Sequence, residues 1–150
     1  MIIFQNGDLF ESGAEAIVNP VNTHGVMGKG LALQFKKRFP GNFAAYKEAC
    51  RNGDVRTGEM FLFREMNDRG AVWVVNFPTK EHWRGKSKME WVENGLRDLR
   101  RQIQELGWKS IALPAIGCGL GGLPWEGVKK RIEEELLGLE EVQIIVFPPR

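Results

Sequence analysis

Apolar residues recur along this chain in two rhythms. Short, nearly continuous runs at Ile2–Gln5, Ala16–Asn19, Met60–Arg64, Ala71–Phe77, Ser110–Ile116 and Val142–Phe147 read as strands, several of them covered on both faces. Between them, apolar positions fall at helical spacing. Val92, Leu96, Leu99, Ile103 and Leu106 form one stripe, with Ser87-Lys-Met-Glu90 as a capping box before it and Gly107 as its stop. Pro124 opens another helix, carried by Val128, Ile132 and Leu136 and ending near Gly138. Gly30–Arg38 and Asn42–Arg51 read as shorter helices separated around Pro40-Gly41. The connection Glu65–Gly70 is too short for a helical crossover, so the strands on either side of it are expected to be antiparallel. The expected fold is α/β, a three-layer α/β/α sandwich around a mixed six-stranded sheet, with residues 1–150 as one domain.

Composition narrows the class without fixing the chemistry. Hydrophobic residues make up 43% and charged residues 27%, the balance of a folded globular chain rather than a disordered one. No apolar run approaches the roughly 18 residues of a membrane span. Met1-Ile-Ile-Phe4 leads straight into strand-like sequence, so no signal peptide is expected. Two cysteines, Cys50 and Cys118, give no disulfide framework and point to a reducing compartment, the cytoplasm. A net charge of +2 neither requires nor excludes nucleic acid, because a local basic patch decides that.

Two glycine-rich segments carry the chemistry. Asn19-Pro-Val-Asn22-Thr-His-Gly-Val-Met-Gly28-Lys-Gly30 follows an apolar strand and precedes a helix, where free backbone N–H groups and the helix terminus favour a phosphate. It is not a P-loop: with Gly28-Lys29 as its Gly-Lys pair, that motif needs glycine at position 23 and Ser or Thr at position 30, and this chain has Thr23 and Gly30. Leu113-Pro-Ala-Ile-Gly117-Cys-Gly-Leu-Gly121-Gly122 repeats the strand–loop–helix arrangement. Two such loops at the carboxyl ends of strands suit a diphosphate held between them. No His, Cys and carboxylate spacing resembles a zinc site, and neither a metal nor another cofactor is expected.

Asn6-Gly-Asp8-Leu9, Asn19-Pro-Val-Asn22 and Pro114-Ala-Ile-Gly-Cys-Gly-Leu120 together resemble the macrodomain family, in the family's order and over nearly the whole chain. That resemblance implies ADP-ribose as ligand. Asp8 would hold the adenine amino group and Asn22 would lie against the distal ribose, with Leu9, Gly28 and Gly30 also among the ADP-ribose-binding residues. Gly117, Cys118, Gly119, Leu120 and Gly121 would wrap the diphosphate, and Phe147 would stack on adenine. Asn76-Phe-Pro-Thr-Lys80-Glu-His-Trp-Arg84-Gly-Lys-Ser-Lys88 is similar to a segment of the DNA ADP-ribosyl glycohydrolases that act as antitoxins in DarT–DarG pairs. Those enzymes use the lysine of this segment to remove ADP-ribose from thymidine in DNA. The resemblance thus implies a hydrolase with Lys80 and Asn22 as catalytic residues and ADP-ribosylated single-stranded DNA as substrate. Its functional counterpart would be a DNA ADP-ribosyltransferase toxin. A related protein glycohydrolase pairs its lysine with an aspartate in the second loop, and Gly119-Leu-Gly121-Gly122 has none. Toxin binding belongs to a further C-terminal domain in such relatives and is not assigned to these residues.

Lys80 could attack an opened sugar as a free amine, or stay charged and donate a proton toward the leaving base. His82, Trp83, Arg84 and Lys86, cations set among aromatics, suit phosphates and an unpaired base. A solvated loop before a helix would carry the same charges. Asn22 could equally be a turn residue that bonds its own backbone. Cys118 reads as a small side chain in a tight loop rather than a nucleophile, and His24 as either a ligand contact or a solvated loop residue. Two other functions remain open beside DNA de-ADP-ribosylation: an ADP-ribose-binding module without turnover, and hydrolysis of ADP-ribose from protein carboxylates.

Overall fold

The computed structural model describes residues 1–68 and 70–150. Its strands are β1 (Ile2–Phe4), β2 (Ala16–Val21), β3 (Phe61–Asn67), β4 (Gly70–Pro78), β5 (Ser110–Pro114) and β6 (Gln143–Phe147). The helices are α1 (Gly30–Arg38), α2 (Pro40–Arg51), α3 (Met89–Leu106) and α4 (Trp125–Glu135), with one 3-10 turn at Leu9–Glu11. One sheet takes in all six strands in the order β1-β6-β5-β2-β4-β3. Every neighbouring pair is parallel except β3 with β4, so the sheet is mixed, as the short connection requires.

Alternation along the strands builds a core on each face. Val75 and Phe77 of β4, Ile111 and Leu113 of β5, and Ile144 and Val146 of β6 pack with Val92, Leu96 and Leu99 of α3 and Val128 and Ile132 of α4. Their neighbours Val74, Ala112, Ile145 and Phe147 face the other way, onto Phe35 of α1 and Tyr46 of α2. Each large side chain fully withdrawn from water contributes about 1.5–3 kcal/mol. The close fit of α3 on β4 depends on Gly95, where an added Cβ would run into the Phe77 ring.

Four local features differ from the sequence reading. Ser87 does not cap α3: Lys88 is the capping residue, without a side-chain bond, and Ser87 instead gives its backbone N–H to Gly121 O at 3.0 Å. Helix α2 starts at Pro40 rather than Asn42. Proline suits a first helical position, and Glu65 of β3 accepts the N–H groups of Gly41 (3.4 Å) and Asn42 (2.6 Å). Strand β3 begins after Met60, whose N–H goes to Asp98 of α3 at 2.7 Å. It then runs on to Asn67, which pairs with Gly70, so the connection is tighter than the Glu65–Gly70 segment. Arg69 of that segment lies outside the described residues.

A polar cluster sits inside the apolar core where β2 and β4 pair Asn19 with Asn76. Asn76 Oδ1 accepts from Asn19 and from Asn42 at 3.2 Å each, while its amide donates to Asn42 Oδ1 (2.8 Å) and Phe61 O (3.0 Å). All three asparagines are fully buried. Asn19 also reaches Met27 Sδ at 3.8 Å, fastening the first glycine loop to the sheet. No described helix is long and apolar enough to cross a membrane.

Candidate functional site

A cleft of about 1420 Å³ crosses the carboxyl edge of the sheet. Strand order dictates its layout. The segment after β1 (Asp8, Leu9) and the last residue of β6 (Phe147) form one end. The second glycine loop, after β5, and the first, after β2, come next, and Lys80, after β4, lies at the far end. With strands ~4.8 Å apart, the span from β1 to β4 is roughly 19 Å.

The first loop is organised by Asn22. Its Oδ1 accepts the His24 N–H (2.9 Å) and the Val26 N–H (3.4 Å), and its Nδ2 donates to Val26 O (2.8 Å). The buried Tyr46 hydroxyl donates to Asn22 O at 2.8 Å and lies 2.9 Å from Oδ1. Most of the Asn22 carboxamide is therefore spent on loop shape, the turn role open to it from sequence, and only one Nδ2 hydrogen remains for a ligand. Beyond it, Gly28, Lys29 and Gly30 line the cleft at the start of α1, whose cap position, Lys29, has no side-chain hydrogen bond. This helix terminus thus presents uncapped N–H groups and the positive end of its dipole.

The second loop turns on itself through Cys118 N–H to Ala115 O (3.2 Å), Gly122 N–H to Gly119 O (3.2 Å) and Leu123 N–H to Gly117 O (2.9 Å). Among the described residues the N–H groups of Gly117, Gly119, Leu120 and Gly121 find no backbone hydrogen-bond acceptor, and all four residues line the cleft. Gly117 has φ +76°, and a Cβ at Gly121 would meet Ser87 Oγ and lie 2.6 Å from Gly117 O. Burial pushes the Cys118 thiol up to about 11, which keeps it protonated near neutral pH and unsuited to nucleophilic attack.

Residues 79–87 form a strap fastened to both loops. Thr79 N–H donates to Val21 O (2.9 Å) and Thr23 N–H to Glu81 O (3.0 Å), and Ser87 closes onto Gly121. Within it, Lys80 Nζ donates to Trp83 O at 3.0 Å. Burial, with the like charges of Lys86 and Lys29, holds the Lys80 ammonium below the ordinary lysine range. Among the described residues Lys29, Lys80, Arg84, Lys86 and Arg150 line the cleft against one side-chain carboxylate, Asp8.

At the opposite end, Asp8 Oδ1 accepts the Phe10 N–H at 2.9 Å, leaving its second oxygen for a donor. Phe147 is mostly buried beneath Gly7 but still contributes to the lining. Asp8, Leu9, Asn22, Gly28, Gly30, Lys80, Trp83, Arg84, Lys86, Phe147 and Gly117 to Gly121 are thus brought together around one cavity. His82 is not: its ring stacks on Trp83 (centroids 4.8 Å) and faces His24 (5.0 Å), and its Nδ1 accepts the Arg84 N–H at 3.0 Å. His24 also stays outside the lining, with Nδ1 2.7 Å from Glu81 O. Val26, Gln34, Trp125 and Arg150 line the cleft without having been singled out in the sequence. Trp125 follows Pro124 directly after the second loop, a position that could have flagged it.

Fold and cleft define an α/β/α domain with a cation-lined crevice between two glycine loops. The chain belongs to the macro domain family, whose sequence profile matches residues 18–132. It is 53% identical to a Thermus aquaticus protein named DNA ADP-ribosyl glycohydrolase, over 99% of this chain and 41% of that one. It superimposes on the macrodomain of Mycobacterium tuberculosis DarG with TM-score 0.96 at 46% identity, covering 100% of this chain and 99% of the other. It also matches Thermosipho africanus DarTG in complex with ADP-ribose, with TM-score 0.92 at 35% identity, covering 99% of this chain and 41% of that one. The chain therefore spans under half the length of the curated relative and of the DarTG chain.

Proposed function

We propose that residues 1–150 act as one macrodomain, a DNA ADP-ribosyl glycohydrolase that removes ADP-ribose from thymidine in DNA. Similarity to a protein bearing that name, and to a structure holding ADP-ribose, supports the substrate class. The observation that carries the reading is the Lys80 amine, depressed in pKa by burial, at the far end of a cation-rich cleft from Asp8. Asp8 and Leu9 take the adenine, with Phe147 against its ring. The free N–H groups of the second loop and the open start of α1, through Gly28 and Gly30, hold the diphosphate and distal ribose. Asn22 acts chiefly by shaping the first loop, with its remaining Nδ2 hydrogen toward the sugar.

Cleavage at the anomeric carbon separates a thymine from a cation-like sugar. With no carboxylate in the second loop, proton movement at that end falls to Lys80 and water. A lowered pKa brings the neutral amine closer to reach and so favours attack on the sugar carbon over service as a permanent charge. The thymine leaves as its anion and takes a proton from water, and a second water then hydrolyses the sugar from the amine. Arg84 and Lys86, with Trp83 and its stacked neighbour His82, take the single strand at and beside the modified base. The functional counterpart is a DNA ADP-ribosyltransferase toxin, and the cytoplasm, in keeping with two free cysteines, is the compartment.

The test is Lys80→Ala on a thymidine-ADP-ribosylated single-stranded oligonucleotide. The expected result is loss of ADP-ribose release with calorimetric ADP-ribose binding retained. Turnover that survives the substitution removes Lys80 from the chemistry. No turnover by the unsubstituted protein makes the domain a binding module.

A further inference from the structure

Large apolar side chains are rare on this surface, and three of the exposed ones, Val26, Trp83 and Leu120, line the same cleft. They come from three separate segments: the first loop, the strap and the second loop. Those segments follow β2, β4 and β5, so all three residues lie on the half of the cleft away from Asp8 and Phe147. Leu120 is 58% exposed and Trp83 39%. A diphosphate gains nothing from such groups, since its needs are met by backbone N–H and the nearby cations. Apolar side chains converging on one opening mark a contact surface for something apolar.

Strand order says what that is. A ligand whose adenine sits at Asp8 and whose diphosphate lies between the two loops carries its distal ribose toward Lys80, and whatever is bonded to that ribose projects beyond it. A carboxylate linkage would bring a short polar chain there, whereas a nucleobase brings a flat, largely apolar ring. The Trp83 ring is held by the Arg84 guanidinium 4.5 Å from its centroid and by His82 stacked against it, so the apolar surface it leaves exposed is fixed in place.

We propose that Val26, Trp83 and Leu120 form an apolar collar that receives the nucleobase bonded to the distal ribose and so favours base-linked ADP-ribose over the free ligand. The proposal rests on the glycohydrolase reading for its substrate but concerns recognition rather than turnover. It is therefore tested by binding, in a Lys80→Ala background that leaves substrate intact. The probes are ADP-ribosyl-thymidine, a nucleoside free of DNA phosphates, and ADP-ribose itself. The readout is the ratio of their dissociation constants by calorimetry.

The collar predicts that ADP-ribosyl-thymidine binds roughly tenfold more tightly than ADP-ribose. It also predicts that Val26→Ser, Leu120→Ser and Trp83→Ala each move that ratio toward one, whatever they do to ADP-ribose alone. Equal affinities in the Lys80→Ala parent overturn the proposal, as does a preference that survives all three substitutions. Failure of the glycohydrolase reading would appear separately, as absence of turnover by the protein with Lys80 in place.

Discussion

The backbone N–H of Ser87 donates to the carbonyl of Gly121 at 3.0 Å, and that bond closes a circuit. The strap bearing Lys80 is tied at its start to the first glycine loop and at its end to the second. The price is a buried Ser87 hydroxyl without a hydrogen-bond partner among the described residues, and a second loop in which a Cβ at position 121 would collide with Ser87 Oγ and Gly117 O.

Gly121→Ala should therefore break the circuit. Its new Cβ meets Ser87 Oγ and the Gly117 carbonyl, and overpacking of this kind costs about 1–3 kcal/mol. The expected outcome is a destabilisation of that size in denaturant melts, with ADP-ribose affinity weakened at least about tenfold by calorimetry. Gly119→Ala is the control. Its Cβ would meet nothing within 4 Å, so stability should stay within about 0.5 kcal/mol of the parent.

The depressed pKa of Lys80 has a defined sign in kinetics. A lysine lowered by burial and by like charges loses its proton at lower pH than an exposed one, so the free-amine fraction rises with pH through a midpoint below the ordinary lysine range. With the amine as the working form, kcat/KM should climb along that limb. Lys86→Met removes a repelling cation, lets the ammonium persist, and should move the limb to higher pH. A pH–rate profile whose limb stays in place or moves down in the variant contradicts the assignment.

Asn76→Leu preserves approximate volume while stripping the buried polar cluster. Asn42 loses the partners of its side-chain oxygen and amide, Phe61 O loses a donor, and Asn19 keeps only Met27 Sδ. Several unpaired groups in a dry core should cost on the order of 3 kcal/mol, read from urea unfolding. A variant as stable as the parent would mean that the cluster contributes nothing net.

Where burial decides structure, the sequence was readable. Strands covered on both faces must be apolar throughout, so β4, β5 and β6 stood out, and the stripe from Val92 to Ile103 placed α3. Glycine loops at strand ends marked most of the cleft because few other residues leave backbone N–H groups accessible. What escaped depends on partners distant in sequence. The apparent capping box at Ser87 could not reveal that a loop thirty-odd residues later would claim the serine. The α2 start at Pro40 is stabilised by Glu65, a carboxylate from another element. The asparagine cluster gathers positions 19, 42 and 76, each of which taken singly looks like a turn or surface residue. Trp125 and Arg150 reach the cleft only through tertiary placement.

The parking of the Lys80 amine on the Trp83 carbonyl sets a rule for inhibitor design. If Lys80 acts as proposed, a compound confined to the Asp8 pocket competes for occupancy but leaves the Lys80 nitrogen docked as it is. To disarm that nitrogen, a molecule must extend past both glycine corners and offer it a better acceptor than a peptide oxygen. Affinity gained at the Asp8 end and engagement of the amine at the Lys80 end are therefore separable goals, to be optimised with different parts of the same scaffold.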